Sequence, residues 1–109
     1  MGDGARLSVL VLDGPRMAEI LLSGELDLDA TTLLERCVAG ILQASRVRLI
    51  EVDVALVQFC DAGGLSALLG ARSVAERRRV PLYLVQVRAP LQKVLDASGL
   101  DNLLVRPPE

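Results

Sequence analysis

Apolar and polar positions divide the chain into short blocks of alternating character. Leu7 to Leu12 (LSVLVL) is apolar at most positions and reads as a strand, and Met17 to Leu22 is a second apolar run. Asp13-Gly14-Pro15 lies between them. Gly14 tolerates unusual φ values and Pro15 fixes the next one, so residues 7–22 predict an antiparallel hairpin. A polar corner follows, Ser23-Gly24-Glu25-Leu26-Asp27, with Asp27 or Asp29 able to cap the next helix. From Ala30 to about Gln43, apolar residues at Leu33, Leu34, Cys37, Val38, Ile41 and Leu42 form one stripe at helical spacing. Val47 to Val52 (VRLIEV) predicts a third strand with Val47, Leu49 and the stem of Glu51 on one face, and Val54 to Phe59 leads to a second corner.

That second corner, Gln58-Phe59-Cys60-Asp61-Ala62-Gly63-Gly64-Leu65, opens an Ala/Leu-rich helix expected from Ala62 to about Arg78. Asp61 is a good N-cap, because its carboxylate can accept free backbone N–H groups of the first turn. Gly63 and Gly64 carry no Cβ, which predicts a bare first turn that another backbone can approach. Gly64, Leu68, Ala71 and Ala75 share a small side suited to packing on a sheet. Ala62, Ser66, Gly70, Ser73 and Arg77 share another, with Leu69 at its margin, and that side reads either as solvated surface or as a docking face. Arg77-Arg78-Arg79 complements the helix dipole at its C-terminal end. Leu82 to Val87 predicts a strand, Ala89-Pro90 opens a helix with Leu91, Val94 and Leu95 on one face, and Gly99 is a natural C′ residue. Leu103 to Val105 predicts a last short strand before a Pro107-Pro108-Glu109 tail. The order β-β-α-β-α-β-α predicts one α/β domain. Its sheet is mixed, with four to five strands (an opening antiparallel hairpin, then parallel crossovers), and carries three to four helices.

Composition narrows the chemistry. A chain of 109 residues with 51% hydrophobic and 24% charged residues fits a single folded domain with an aliphatic core, since Phe59 and Tyr83 are its only aromatics. A net charge of −2 and so few rings argue against binding nucleic acid. The absence of histidine removes histidine acid–base catalysis, histidine-ligated metals and histidine phosphotransfer. Two cysteines are too few for a Cys-only zinc site, so neither metal nor cofactor is expected. No apolar run approaches ~18 residues, and the start Met1 to Arg6 has no apolar signal region, so a soluble, cytoplasmic-type protein without membrane insertion is expected.

Residues 24 to 100 resemble the STAS domain, the fold of anti-sigma factor antagonists and of the cytoplasmic tails of sulphate transporters. Gly24-Glu25-Leu26-Asp27 resembles the family's Gly-Glu-Leu-Asp corner, Phe59 to Leu65 its hydrophobic-x-Asp-Ser-Ser-Gly-Leu signature, and Leu95 to Leu100 its closing Leu-x-x-x-Gly-Leu. The resemblance implies a non-catalytic module that captures an anti-sigma factor of the serine-kinase type. In phosphorylated members the serine after the aspartate accepts phosphate. Ala62 stands there in this chain and Gly63 replaces the next serine, so the usual switch has no acceptor. Ser66, one turn on, is an alternative acceptor; Thr31 and Thr32 read as helix-start residues.

The partner surface expected on this basis comprises Glu25, Asp27, Asp61, Ala62, Gly63, Gly64, Ser66, Leu69 and Ser73, with Glu25 and Asp27 offering carboxylates to a partner's cations. Two other classes stay open: an accessory subunit docking on a transporter ATPase, and a nucleotide-binding protein using the Gly63-Gly64 helix start. The latter is no P-loop, because no Lys-Ser/Thr follows. Cys37 reads as core and Cys60 as a buried inert thiol, and a redox pair between them requires Cα atoms within ~7 Å.

Overall fold

The computed structural model describes residues 6–44 and 46–106; the start at residues 1–5, residue 45 and the tail at residues 107–109 lie outside them. Strands β1 (Leu7–Asp13) and β2 (Met17–Leu26) form the expected hairpin, whose turn is closed by the Gly14 N–H donating to the Met17 carbonyl at 3.0 Å. A 3-10 turn (Leu28–Ala30) leads into helix α1 (Thr31–Ala44), and strand β3 (Leu49–Cys60) then pairs parallel with β2. Helix α2 (Ala62–Glu76) returns the chain to β4 (Leu82–Val85), parallel to β3, before α3 (Ala89–Ser98) and the single turn α4 (Asp101–Leu104). The sheet order is β1-β2-β3-β4.

Alternation decides which side each strand buries. Ala18, Ile20 and Leu22 of β2, Ile50, Val52 and Val54 of β3, and Leu82 and Leu84 of β4 all point into the core. Leu34, Val38, Ile41 and Leu42 of α1 join that core, with Leu65, Ala67, Leu68, Ala71 and Ala75 of α2, Leu91 and Leu95 of α3, and Leu104. Each fully buried Leu or Ile contributes roughly 1.5–3 kcal/mol of transfer free energy, so this aliphatic layer carries the fold without aromatic residues.

Several boundaries differ from those the pattern predicts. Residues 23–26 continue β2 instead of leaving it, because the ladder absorbs two register shifts and Gly24 takes φ +111°, pressed against the Arg6 carbonyl. Residues 49–60 are one strand, and its buried phase is Ile50, Val52 and Val54, leaving Leu49 and Glu51 on the opposite side. Leu33 lies outside the buried stripe of α1, exposed at 45%. The last strand ends at Val85, since Gln86 turns at φ +60°. The expected strand at Leu103–Val105 is mostly helical turn, and only Val105 makes a parallel bridge, to Leu84. The arginine run ends α2 through a Schellman motif. The Val80 N–H donates to Ala75 O (3.1 Å), the Arg79 N–H to Glu76 O (2.9 Å), and Arg79 sits at φ +60°.

Candidate functional site

The C-terminal ends of β2 and β3 lie side by side, Leu26 opposite Cys60, and each strand runs directly into a helical start. Both starts are capped by their own carboxylates. Asp27 Oδ1 accepts the Asp29 N–H at 3.0 Å, and Asp61 Oδ1 accepts the Gly64 N–H at 2.9 Å. In each case the backbone of the capping residue is extended, which lets the side chain fold back over the first turn.

The glycine pair joins the two starts. A Cβ on Gly64 would overlap the Leu26 carbonyl oxygen and fall 2.8 Å from Cys60 Sγ, while one on Gly63 would fall 2.9 Å from both Cβ and N of Leu28. The expectation of a bare first turn open to a visiting backbone is therefore corrected. The approaching backbone is the chain's own Leu26–Leu28 segment, Gly64 is buried, and Gly63 is half-buried. What remains open is Asp61 and Ala62 at the helix start and Ser66 and Ser73 further along it, all exposed. At ~1.5 Å per residue, Ala62 to Ser73 spans about 16 Å of helix surface. Gly70 is crossed by the Glu35 carboxylate of α1, and Leu69 is partly buried against the core, so neither extends that surface freely.

Glu25 is exposed and Asp27 half-buried, and both are engaged. The Arg6 guanidinium lies 3.8 Å from Glu25 Oε1 and 3.4 Å from Asp27 Oδ2. Arg6, Leu7, Glu25, Asp27, Asp29, Ala30 and Leu33 line a shallow cleft of about 210 Å³. Leu28, 62% exposed, lies against Gly63, and Leu33 and Phe59 are also exposed. The structure thus brings the two predicted carboxylate positions to one end of the molecule and adds Arg6 and Leu28, which the pattern did not single out, and Leu33, which it assigned to the apolar stripe of the first helix. A lone leucine between Asp27 and Asp29, and a leucine pair at 33–34 of which only one can face inward, were the available signals.

The thiols are not poised for chemistry. Burial, and secondarily the Asp61 charge, push the Cys60 thiol up to about 11, and its S–H points at the Asp61 carbonyl at 3.5 Å. Burial and then Asp13 raise Cys37 as well. Cys60 is buried as expected, whereas Cys37, expected in the core, is only half-buried, and both are free thiols. No disulfide joins them. Among the described residues no group of three or more His, Cys, Asp or Glu residues could hold a metal ion, and no helix is long and apolar enough to cross a membrane.

A four-stranded mixed sheet with a hairpin at one edge and two parallel β-α-β crossovers, opening on a capped helix start, defines an α/β domain of STAS architecture. The family model described as "Mlab, STAS domain" matches residues 13–106, and the chain belongs to the STAS domain family. It is similar to the anti-sigma F factor antagonist of Paenibacillus polymyxa, 26% identical over 85 residues covering 78% of this chain and 73% of that protein. Among solved structures it resembles the anti-sigma factor antagonist SpoIIAA in its unphosphorylated form, with a TM-score of 0.73, 21% identity and coverage of 94% and 90% of the two chains. It also resembles an anti-sigma factor antagonist from Mycobacterium paratuberculosis, with a TM-score of 0.72, 21% identity and coverage of 94% and 86%.

Proposed function

We propose that this protein is a non-catalytic anti-sigma factor antagonist, acting in the cytoplasm by capturing a serine-kinase-type anti-sigma factor and so freeing a sigma factor. The docking surface is the end of the molecule formed by Glu25, Asp27, Asp61, Ala62, Ser66 and Ser73, with Leu28, Leu33 and Phe59 as its apolar part. The observation that carries this reading is the exposed Asp61–Ala62 helix start beside an acidic corner, apolar at its centre and carboxylate-rimmed. Such a surface suits a partner that brings basic side chains around an apolar contact. Antagonist names among the relatives support the same reading. Ala62 offers a methyl group where a phosphoacceptor hydroxyl stands in phosphorylated members, so capture is not reversed by phosphate at that position.

Affinity capture from native lysate, followed by incubation with the captured kinase and ATP, tests both parts. The expected result is recovery of a kinase-like anti-sigma factor, an unchanged mass for the native protein, and a gain of ~80 Da for Ala62→Ser. Recovery of a transporter ATPase with no kinase-like protein would overturn the antagonist reading in favour of an accessory transporter subunit. Phosphate on the native protein at Ser66 would show a displaced acceptor. A thermal shift with ATP or GTP would point to nucleotide binding.

A further inference from the structure

We propose that β1 is a self-association edge, joining two copies of this chain through antiparallel β1–β1 pairing into one continuous eight-stranded sheet. β1 is the outermost strand of the sheet, and among the described residues β2 is the only element it contacts extensively. Native edge strands are ordinarily blunted by lysine, proline, bulges or a covering element. The six residues Leu7 to Leu12 (LSVLVL) contain no charge, no proline and no glycine, and their pairing with β2 runs without a register shift.

The hydrogen-bond parity of the hairpin determines which backbone groups face outward. The Gly14 N–H donates to Met17 O at 3.0 Å and the Glu25 N–H to Arg6 O at 2.8 Å, so the closely bonded pairs are 6↔25, 8↔23, 10↔21, 12↔19 and 14↔17. The backbone groups of Leu7, Val9 and Val11 therefore point away from β2, towards the outer edge. Among antiparallel self-pairings, the one with Leu10 opposite Leu10 on the two-fold axis overlaps the whole strand. It sets Val9 of each copy opposite Val11 of the other, so the central bonded pairs fall where the backbone faces outward. Leu10 then occupies a non-hydrogen-bonded pair, where strands approach most closely and side chains touch. Leu10 is 57% exposed in the single chain, and this contact covers it.

The charges at the strand ends are compatible with this arrangement. It sets Asp13 of each copy opposite Leu7 of the other, next to Arg6, a cation shared with Glu25 and Asp27. Face-to-face packing of the exposed sheet side is the competing geometry, since Leu12, Met17 and Leu56 are exposed there too. That side also carries Glu19 beside Glu51, which Arg106 pairs at 3.0 Å, and Asp53 beside Leu21, so stacking two copies would desolvate charged groups of both. Edge pairing leaves those groups as they stand in the single chain. Because the strands run oppositely, it also places the two docking ends at opposite extremes of the joined sheet, so each copy remains able to bind its own partner.

Sedimentation equilibrium and amide hydrogen exchange, run from about 10 μM to about 1 mM, test the proposal. The expected result is a reversible doubling of mass and, at the high concentration, slowing of exchange at Val9 and Val11 by about tenfold or more. Val11→Pro removes an outward N–H and no hydrogen bond to β2, at the cost of part of Val11's packing on the core, and should abolish the dimer while the circular dichroism spectrum is retained. Leu10→Lys should weaken association about tenfold or more, whereas Leu56→Lys should leave it unchanged. A monomer throughout with Val9 and Val11 exchanging freely overturns the proposal, as does a dimer that survives Val11→Pro or is lost in Leu56→Lys. Should Val11→Pro fail to fold, Leu10→Lys and the native exchange pattern still decide.

Discussion

Replacing Gly64 by alanine is the sharpest probe of how the helix start is held. Alanine ordinarily gains about 0.5–1 kcal/mol over glycine inside a helix, because it restricts the unfolded chain more. At Gly64 that gain meets a wall: the new methyl group would overlap the Leu26 carbonyl oxygen and lie 2.8 Å from Cys60 Sγ. The first obstacle is backbone at the end of β2, which cannot swing aside as a side chain can, so an overpacking cost of about 1–3 kcal/mol applies. The expected net result is destabilisation by about 1–2 kcal/mol, read as a fall in the urea midpoint at unchanged slope. Two other glycines calibrate the measurement. A Cβ added at Gly40, on the exposed side of α1, would meet nothing within 4 Å beyond its own helical turn, so Gly40→Ala should stabilise by the full ~0.5–1 kcal/mol. Gly70 meets only the Glu35 carboxylate, the far end of a flexible side chain, so Gly70→Ala should fall between the two. If Gly64→Ala proved as stable as Gly40→Ala, the close approach of Leu26 to the helix start would be refuted.

Three further outcomes follow from particular contacts. Arg79→Gly should stabilise by about 1 kcal/mol in thermal unfolding, because Arg79 holds φ +60° in the same left-handed geometry in which Gly99, at φ +72°, ends α3. Asp61→Ala should cost about 1 kcal/mol through the lost cap on the Gly64 N–H, and should weaken partner capture by more than that stability change alone predicts. The Cys60 thiol is raised to about 11 in the folded state, so the unfolded chain releases its proton first as pH rises. Stability is therefore fully present below the unfolded pKa of ~8.5 and is lost as pH rises through about 11, a slope that Cys60→Ala should flatten in denaturation curves taken at pH 8, 9.5 and 11.

The parts of the fold that were legible in the sequence are those governed by local periodicity and local caps. The hairpin, the α1 and α2 stripes, Asp61 as N-cap and Gly99 at C′ each follow from residues within one or two turns of one another. The misread parts depend on pairing across the sheet. Nothing local to VRLIEV distinguishes its two faces, and only the pairing of Ile50 and Val52 between β2 and β4 selects the buried one. The two glycines after Asp61 advertise closeness, but the sequence does not say to what; the register placing Leu26 beside Cys60 makes the neighbour internal. Arg6 joins the site for the same reason, because the hairpin ladder, not chain proximity, sets it opposite Glu25.

That internal closure bears on what can bind. A helix start normally attracts anions, through its free N–H groups and its dipole. Here Asp61 already occupies the Gly64 N–H, and Glu25, Asp27 and Asp29 surround the neighbouring turn, with Arg6 as the cation set against them. A phosphate arriving from solution meets negative charge and a spent donor. A partner's arginine or lysine meets carboxylates whose counter-ion among the described residues is the exposed Arg6, and an exposed surface pair of that kind is worth only ~0–1 kcal/mol, so it is readily exchanged.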